Sequence, residues 1–455
     1  MDKRFKKKYT SKLLKYIPGG AHTYSRGADQ FSLNAPQILK KGKGAYVFDK
    51  NNKKYLDYGM GLRSIILGYS NQNVNKAAYQ QIENGNNLTR PSMIELKVAK
   101  KFVNNFKNVD MVKFAKNVSS AVTAAVKLAR AYTKKNIVLR CAQHPFFSYD
   151  DWFISSTNIQ KGIPKEIIKM TDTFKYNDID DLKNKIQRYK KNVACIILEP
   201  AATECPKIQN KTGCCGKYPC NRNYKKQKHF LKEVQYICKK NKIVFILDEM
   251  ITGFRWDIKG AQEFFNVKPD LSTFGKAMAN GFSVSAVCGI KKIMSLGSIE
   301  KKGQERVFLL SSTHGAEMSS LGAFDKTLDI LKKKNVITNI WSYGARLIFE
   351  ANKISKSLNI EKNFYFKGPA CSPIYYCRNK KLDICMELRT LFIQEMLKNG
   401  VLMPWVSISY MHKEKEFKKT IRAIEKSLII YKKYLNGNKE LLMGNSIKPV
   451  FRKYN

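Results

Sequence analysis

Hydrophobic positions along this chain follow two patterns. Continuous apolar runs of strand length occur in "VACIILEP" (193–200) and "KIVFILDEM" (242–250), and such runs are typical of parallel strands buried on both faces. Around them, apolar residues recur at helical spacing, as in residues 73–85 and 93–106. Alternating strands and helices predict an α/β fold with a mostly parallel sheet flanked by helices.

Local patterns outside those runs predict how the chain is divided into domains. Residues 44–61 indicate two strands around a turn, and residues 111–133 indicate a strand, a short polar loop and a helix. From about residue 325 the pattern is helical again, with a few short strands. We expect an N-terminal segment with part of a small domain (1–60), a large domain (61–324) and a C-terminal small α+β domain (325–455).

Composition and the lengths of the apolar segments indicate in which cellular compartment the protein is expected. The chain has 455 residues and 44% hydrophobic content, which is ample for a sizeable core. No segment approaches the roughly 18 apolar residues of a membrane span. The basic N-terminus lacks the continuous apolar stretch of a signal peptide. We therefore expect a cytoplasmic protein without membrane contact.

The formal net charge of +47 suggests that the protein binds nucleic acid. Contacts of lysine and arginine with phosphate groups supply most of the non-specific affinity of proteins for nucleic acids. The lysines, however, are spread along the whole chain, and no recognised nucleic-acid-binding motif is present. A solvated lysine-rich surface is the preferred interpretation. A basic nucleic-acid-binding protein is kept as the weaker, non-enzymatic alternative.

Eight of the 11 cysteines fall into two groups. Those in apolar surroundings are expected to be reduced core thiols: Cys141, Cys195, Cys238 and Cys288. A second group lies in a polar, insertion-like segment: Cys205, Cys214, Cys215 and Cys220, followed by His229. Zinc is conceivable there, but the segment has no CxxC pair and matches no zinc spacing, so a surface loop is preferred and no metal is expected.

One lysine lies in a segment whose other residues are predicted to be buried in the core. In "DLSTFGKAMANG" (270–281), Lys276 follows an apolar run at the end of a predicted strand. Most lysines are solvated surface groups, and burying one without a partner is costly. If Lys276 is inside, its pKa is lowered and it is a nucleophile that forms a Schiff base with a carbonyl.

Other polar groups also lie at strand ends, where parallel sheets bind ligands. Glu199 ends one buried strand and Asp248 ends the next, while Ser119 and Ser120 open a helix after a strand. Each has a structural alternative: the serines as helix N-caps, and Asp248 as the salt-bridge partner of the nearby Arg255. Together they form a phosphate cradle, a carboxylate and a lysine. That set suits pyridoxal 5'-phosphate (PLP): the lysine binds its aldehyde and moves protons, an aspartate keeps the ring nitrogen protonated, and a helix N-terminus takes the phosphate.

These residues resemble a known family. The pair "DEMITGFR" (248–255) and "DLSTFGKAMANG", with its spacing, is similar to the class III (fold-type I) PLP-dependent aminotransferases, and the glutamate-1-semialdehyde 2,1-aminomutases are the nearest group in pattern. The resemblance runs from "IPGGAHTYSR" (17–26) to "GVLMPWVSISY" (400–410). It implies a seven-stranded, mostly parallel sheet, PLP as cofactor, and a homodimer with shared active sites.

The resemblance also implies roles for single residues. Lys276 is the Schiff-base lysine and Asp248 the partner of the pyridine nitrogen, so these two are the expected catalytic residues. Arg26 is expected to bind a substrate carboxylate. The remaining cofactor-binding residues that it implies are Ser119, Ser120, His144, Glu199, Met250 and, from the neighbouring subunit, Thr313.

Departures from the family pattern concern the substrate. Val118 stands where the phosphate loop usually has glycine, and Gln143 stands where an aromatic residue usually precedes the histidine, with Phe146 or Phe147 as replacements. The leading hypothesis is therefore PLP-dependent amino-group transfer by an aminotransferase or an aminomutase of the glutamate-1-semialdehyde type. A class III aminotransferase for a sugar-derived or other specialised carbonyl compound is the alternative.

Overall fold

The computed structural model describes residues 3–201, 203–208, 214–300 and 302–454. Its strands are β1 Leu39–Lys43, β2 Tyr46–Asp49, β3 Lys54–Asp57, β4 Met111–Ala115, β5 Ile137–Cys141, β6 Thr171–Phe174, β7 Val193–Leu198, β8 Val244–Asp248, β9 Leu271–Phe274, β10 Ser285–Gly289, β11 Phe364–Lys367, β12 Ile374–Cys377 and β13 Val401–Leu402. Its helices are α1 Lys3–Tyr16, α2 Met60–Arg63, α3 Gln72–Glu83, α4 Met93–Val103, α5 Val118–Thr133, α6 Asp151–Ile154, α7 Lys165–Ile168, α8 Ile179–Arg188, α9 Phe230–Asn241, α10 Gly260–Phe265, α11 Lys291–Met294, α12 Met318–Lys333, α13 Val336–Ser357, α14 Met386–Lys398 and α15 Glu414–Leu435.

A seven-stranded sheet forms the centre of the molecule, in the order β4-β10-β9-β8-β7-β5-β6. The pairs within β9-β8-β7-β5-β6 are parallel, and β10 runs antiparallel to both of its neighbours. The α/β fold with a mostly parallel sheet, predicted from the apolar runs, is confirmed.

Both faces of this sheet are covered, which explains why its central strands β7 and β8 are continuous apolar runs. Along β8, Phe245 and Leu247 belong to one hydrophobic cluster, while Val244 and Ile246 belong to another. The second cluster contains the buried face of α5, and the first contains residues of α9 and α12. Burial on both faces removes the polar alternation of a one-sided sheet.

The two ends of the chain meet in a four-stranded sheet of order β1-β2-β3-β13. β2 and β3 form the antiparallel pair predicted around a turn, and β13 adds in parallel through Val401 opposite Leu56. A small domain built from both chain ends is consistent with this pairing. The proposed bounds 1–60, 61–324 and 325–455 stay a prediction.

The cysteines agree with expectation in the core and differ from it in the segment after β7. Cys141, Cys195, Cys238 and Cys288 are buried free thiols. The surface-loop interpretation of the second group is wrong in part, because Cys205 and His229 are buried and Cys205 forms a disulfide with Cys214. Apolar packing around Cys205, including Ile208 and Tyr224, explains the burial. Among the described residues no cluster of His, Cys, Asp and Glu has a metal-binding arrangement.

Within the described ranges, no helix has both the length and the apolar content needed to span a bilayer.

Candidate active site

Lys276 lies immediately after β9 and opens the 3-10 turn Lys276–Ala279. Its backbone is left-handed, with φ 44°, which is uncommon for a side chain other than glycine and turns the chain sharply out of the strand. Loss of water lowers the pKa of its ammonium group, and the carboxyl groups of Asp248 and Glu199 oppose that effect. A lowered pKa increases the fraction of neutral amine, which is the nucleophilic form.

Gly275 and Met250 fix the surroundings of that lysine. A β-carbon at position 275 would lie 2.7 Å from the Met250 sulfur, so only glycine allows this close approach. Met250 is buried, and its backbone N–H donates to Asp248 Oδ1 over 2.8 Å. Met250 thus packs beside both predicted catalytic residues, and it is available to cover one face of a bound ring.

Asp248 ends β8 on the strand next to β9, and it is almost completely buried. Burial raises the pKa of its carboxyl to about 6, although the neighbouring charge of Lys276 lowers it. The carboxyl is therefore mostly ionised at neutral pH. The salt-bridge alternative is wrong, because Arg255 donates instead to the carbonyls of Ile408 and Arg63.

Glu199 ends β7 and differs from Asp248 in its charge. Burial, reinforced by the charge of Asp248, raises its pKa to about 8, so its carboxyl is mostly protonated at neutral pH. Its Oε2 is buried without a hydrogen-bond partner. The strand-end carboxyls are thus separated into one acid and one anion by their environments.

His144 lies in the loop that follows β5, at the same edge of the sheet as Glu199. Its Nδ1 accepts the backbone N–H of Glu199 over 2.9 Å, so the neutral ring carries its proton on Nε2. Burial lowers the pKa of His144 to about 3, which keeps the ring uncharged. His144 contacts the backbone of Glu199 and positions this part of the site.

The N-terminus of α5 lies where β4 ends, and its N-cap is Asn117. The Asn117 carboxamide accepts the N–H of Ser120 over 3.0 Å and also the Ser120 hydroxyl over 3.2 Å. The buried Ser119 hydroxyl accepts the N–H of Tyr149. Both predicted serines are thus in the first turn, where N–H groups without helical partners and the helix dipole favour an anion. The sequence interpretation missed Asn117, although asparagine is a preferred N-cap.

Arg26 and Thr313 lie on exposed parts of this chain. Burial raises the pKa of Tyr69, and the charge of Arg26 slightly opposes this shift; because the Tyr69 hydroxyl accepts the N–H of Gly61, Arg26 lies on the same side of the molecule as α2. Within the described residues its side chain has no hydrogen bond or ion pair. Thr313 is held by Asn87, which donates to its carbonyl over 2.9 Å.

The two residues predicted as alternatives for the aromatic side chain missing at Gln143 differ in burial. Phe147 is fully buried in the cluster that contains Met250, whereas Phe146 is 39% exposed and packs on Phe153. The Gln143 side chain accepts the N–H of Tyr176 over 2.9 Å. Gln143 therefore supports the backbone of the next strand's end, which an aromatic side chain does not do.

A second residue missed by the sequence interpretation is Arg63. Its guanidinium donates to Ser372 Oγ over 2.7 Å, and its charge lowers the pKa of Lys276. The sequence offered one weak signal, the glycines at 59 and 61 around it, which indicate a turn but no chemistry.

These groups fit pyridoxal phosphate. The sheet edge offers a nucleophilic amine, an ionised carboxylate on the adjacent strand, and a helix N-terminus for a phosphate, while the orphan oxygen of Glu199 faces no partner of its own. The fold and the site thus define a fold-type I PLP enzyme.

Comparison with known proteins gives the particular family. The model of the family "Aminotransferase class-III" matches residues 27–405, so the chain belongs to that family, whose members transfer amino groups with PLP. The chain is 27% identical to a glutamate-1-semialdehyde 2,1-aminomutase of Francisella philomiragia, over 93% of this chain and 96% of that one.

Solved structures support the same fold. The FumI protein of Sphingopyxis sp. MTA144, in a PLP form, has a TM-score of 0.81 at 21% identity, covering 96% of this chain and 99% of that chain. A glutamate-1-semialdehyde aminomutase of Pseudomonas aeruginosa PAO1 has a TM-score of 0.76 at 16% identity, covering 94% and 95%. The family assignment also sets aside the non-enzymatic alternative.

Proposed function

We propose that Lys276 binds the cofactor aldehyde covalently and carries the proton between carbon atoms during amino transfer. The observation that supports this most is its position: a lysine of lowered pKa, on left-handed backbone at a strand end, beside an ionised aspartate on the neighbouring strand. Bound pyridoxal phosphate supplies an aldehyde for amino groups and a ring that accepts electrons. The lysine amine, once released, is available to take and return the substrate proton.

The other residues of the site hold the cofactor and orient it. Asp248 places a negative charge where the ring nitrogen is kept protonated, and Met250 covers a ring face. Ser119 and Ser120, with the N–H groups at the start of α5, bind the phosphate. Glu199, protonated and held through its backbone by His144, donates a hydrogen bond near the ring.

For the reaction itself, we propose an intramolecular amino transfer of the glutamate-1-semialdehyde 2,1-aminomutase type. The support is the similarity to a protein of that name over nearly the full length of both chains. Arg26 binds the substrate carboxylate in this proposal, through the planar fork that suits carboxylates. The second candidate is an aminotransferase for a sugar-derived or other specialised carbonyl compound, which the altered loop "ANGFSVSA" (279–286) after Lys276 favours.

A turnover assay tests the choice between these reactions. Purified protein loaded with PLP is mixed with glutamate 1-semialdehyde, with and without L-glutamate as amino donor, and 5-aminolevulinate is measured. Product without a donor supports the aminomutase. Intermolecular transfer from L-glutamate to the aldehyde gives 4,5-diaminovalerate and 2-oxoglutarate instead, so formation of these two compounds supports an aminotransferase. The absence of both 5-aminolevulinate and 4,5-diaminovalerate in either condition excludes this substrate.

We further propose a homodimer, located in the cytoplasm, in which each chain completes the site of the other through Thr313. Because Thr313 is exposed on its own chain, Thr313→Ala leaves the fold unchanged and removes a hydrogen bond to the cofactor phosphate. We expect cofactor affinity to fall by about 10- to 100-fold, the usual effect of losing a hydrogen bond to a charged group. Cofactor retained after dialysis measures this, with the exposed Thr338→Ala as control.

The same preparation is examined by sedimentation at micromolar concentration. A fully active monomer, or equal cofactor retention in the Thr313 and Thr338 variants, contradicts the shared site.

A further inference from the structure

The turn α2 has a backbone that is costly to form. Met60, Leu62 and Arg63 have φ values of 42°, 60° and 71°, in the left-handed region that side chains other than glycine rarely adopt. Each such residue is strained and persists only where the surroundings impose its conformation, which occurs most often at ligand sites.

The surroundings of α2 do impose it. The buried Asp57 carboxylate accepts the N–H groups of Gly59 and Met60 over 2.7 and 2.9 Å. Tyr69 donates its hydroxyl to Asp57 and accepts the N–H of Gly61 over 2.8 Å. A satisfied network of this kind holds one backbone geometry and therefore one direction for the side chain that ends the turn.

That side chain is Arg63, and it lies on the side of Lys276. Two hydrogen bonds tie the following segment to the turn after Lys276: Asn280 accepts the N–H of Leu67 over 2.8 Å and donates to the Gly68 carbonyl over 3.0 Å. Nη1 of the Arg63 guanidinium donates to Ser372 Oγ and, more weakly, to the Val406 carbonyl. In the described part of the chain its Nε and Nη2 make no hydrogen bond.

The charge around Arg63 is positive, and no ion pair between described residues balances it. Arg255 is fully buried with an unpartnered Nε, and Arg389 donates to the Pro404 carbonyl. None of the ion pairs between described residues includes any of these three arginines. The nearby Glu199 carboxyl is mostly protonated at neutral pH and does not neutralise them. Partly desolvated cations without a counter-charge are unfavourable, so a bound anion stabilises this cluster.

We propose that Arg63 is a second carboxylate-binding residue of the active site, and that the substrate of amino transfer is a carboxylic acid whose carboxylate lies on the free edge of this guanidinium. The identity of the ligand as an amino-transfer substrate rests on the proposed function. Arg63 acts here in addition to Arg26, which lies exposed on a different segment. A planar guanidinium offers two parallel N–H donors, which an ammonium group does not reproduce.

Glutarate tests the proposal, because this dicarboxylate has neither an amine nor a carbonyl that can react. Its binding to the PLP-loaded protein is measured by calorimetry, beside the uncharged glutaramide. Arg63→Gln and Arg63→Lys are compared with Arg422→Gln, an exposed arginine on α15. We expect both Arg63 variants to bind glutarate about 10- to 100-fold more weakly, and Arg422→Gln to bind it as the wild type does.

Thermal unfolding of each variant separates loss of binding from loss of fold, and Arg63→Lys keeps the charge if Arg63→Gln is unstable. Folded Arg63→Lys with wild-type affinity overturns the proposal. So does a wild-type protein that binds no glutarate up to about 10 mM, or a loss of binding in Arg26→Gln that Arg63→Gln does not share. Glutarate binding needs no turnover, so its dependence on Arg63 stands or fails separately from the amino-transfer reaction.

Discussion

Replacing Lys276 by alanine is expected to reduce amino transfer by at least about 10³-fold, because one residue supplies both the nucleophile and the proton carrier. The fold should survive, since alanine removes a desolvated charge and leaves the turn Lys276–Ala279 in place. Turnover is measured with the substrate identified by the assay described above. Borohydride reduction followed by peptide mass locates the cofactor on the chain.

The matched control is Lys268→Ala, an exposed lysine shortly before β9. It should keep wild-type turnover and keep the cofactor-modified peptide that contains Lys276. A reduced cofactor adduct on another lysine in the wild type, or an intact adduct in Lys276→Ala, would falsify the assignment.

The fold was predictable from sequence where burial alone determines the pattern. β7 and β8 are covered on both faces, so every residue before the terminal Asp248 of β8 is apolar and the strands are visible as continuous runs. β6, with the sequence "TDTF", lies at the sheet edge and has two partly exposed residues, so it carries no such signal. The antiparallel direction of β10 also escapes prediction, because direction depends on chain connections and not on residue type.

Site residues could be predicted from the sequence where a reactive side chain follows a recognisable strand. They could not be predicted where tertiary contacts determine the position or the charge of the side chain. Lys276 and Asp248 follow visible strands, so topology alone places them on neighbouring strands. The different charges of Asp248 and Glu199 depend on burial and on their neighbours, which sequence does not give. The position of Arg63 depends on its own contact with Ser372 and on the hydrogen bonds that Asp57 and Asn280 accept from backbone N–H groups near it, and these residues are 6 to more than 300 positions away.

Replacing Asp248 by asparagine is expected to lower kcat by about 10²- to 10³-fold, with the cofactor still bound. Asparagine has the same shape and still accepts the N–H of Met250, but it has no charge with which to keep a ring nitrogen protonated. The loss of one such preorganised electrostatic contact typically costs about 2.7–4 kcal/mol of transition-state stabilisation. Cofactor content is read from absorbance, and kcat from the assay used for Lys276.

Asp270→Asn is the matched control for this charge. Its carboxylate precedes β9, at the opposite end of that strand from Lys276, and accepts the N–H of Phe245, which asparagine also accepts. We expect its kcat to stay within about 2-fold of wild type, the range in which transition-state contacts are unchanged.

The pH dependence gives a separate measurement of the same charge. Burial raises the Asp248 pKa to about 6, so acidification protonates it and removes the anion; a cationic ring partner lowers that pKa and moves the loss to lower pH. Wild-type activity should therefore decline on the acid side, below about pH 6, and Asp248→Asn should lack this decline. If Asp248→Asn retains wild-type kcat, or keeps the same acid decline, then Asp248 does not hold the ring nitrogen.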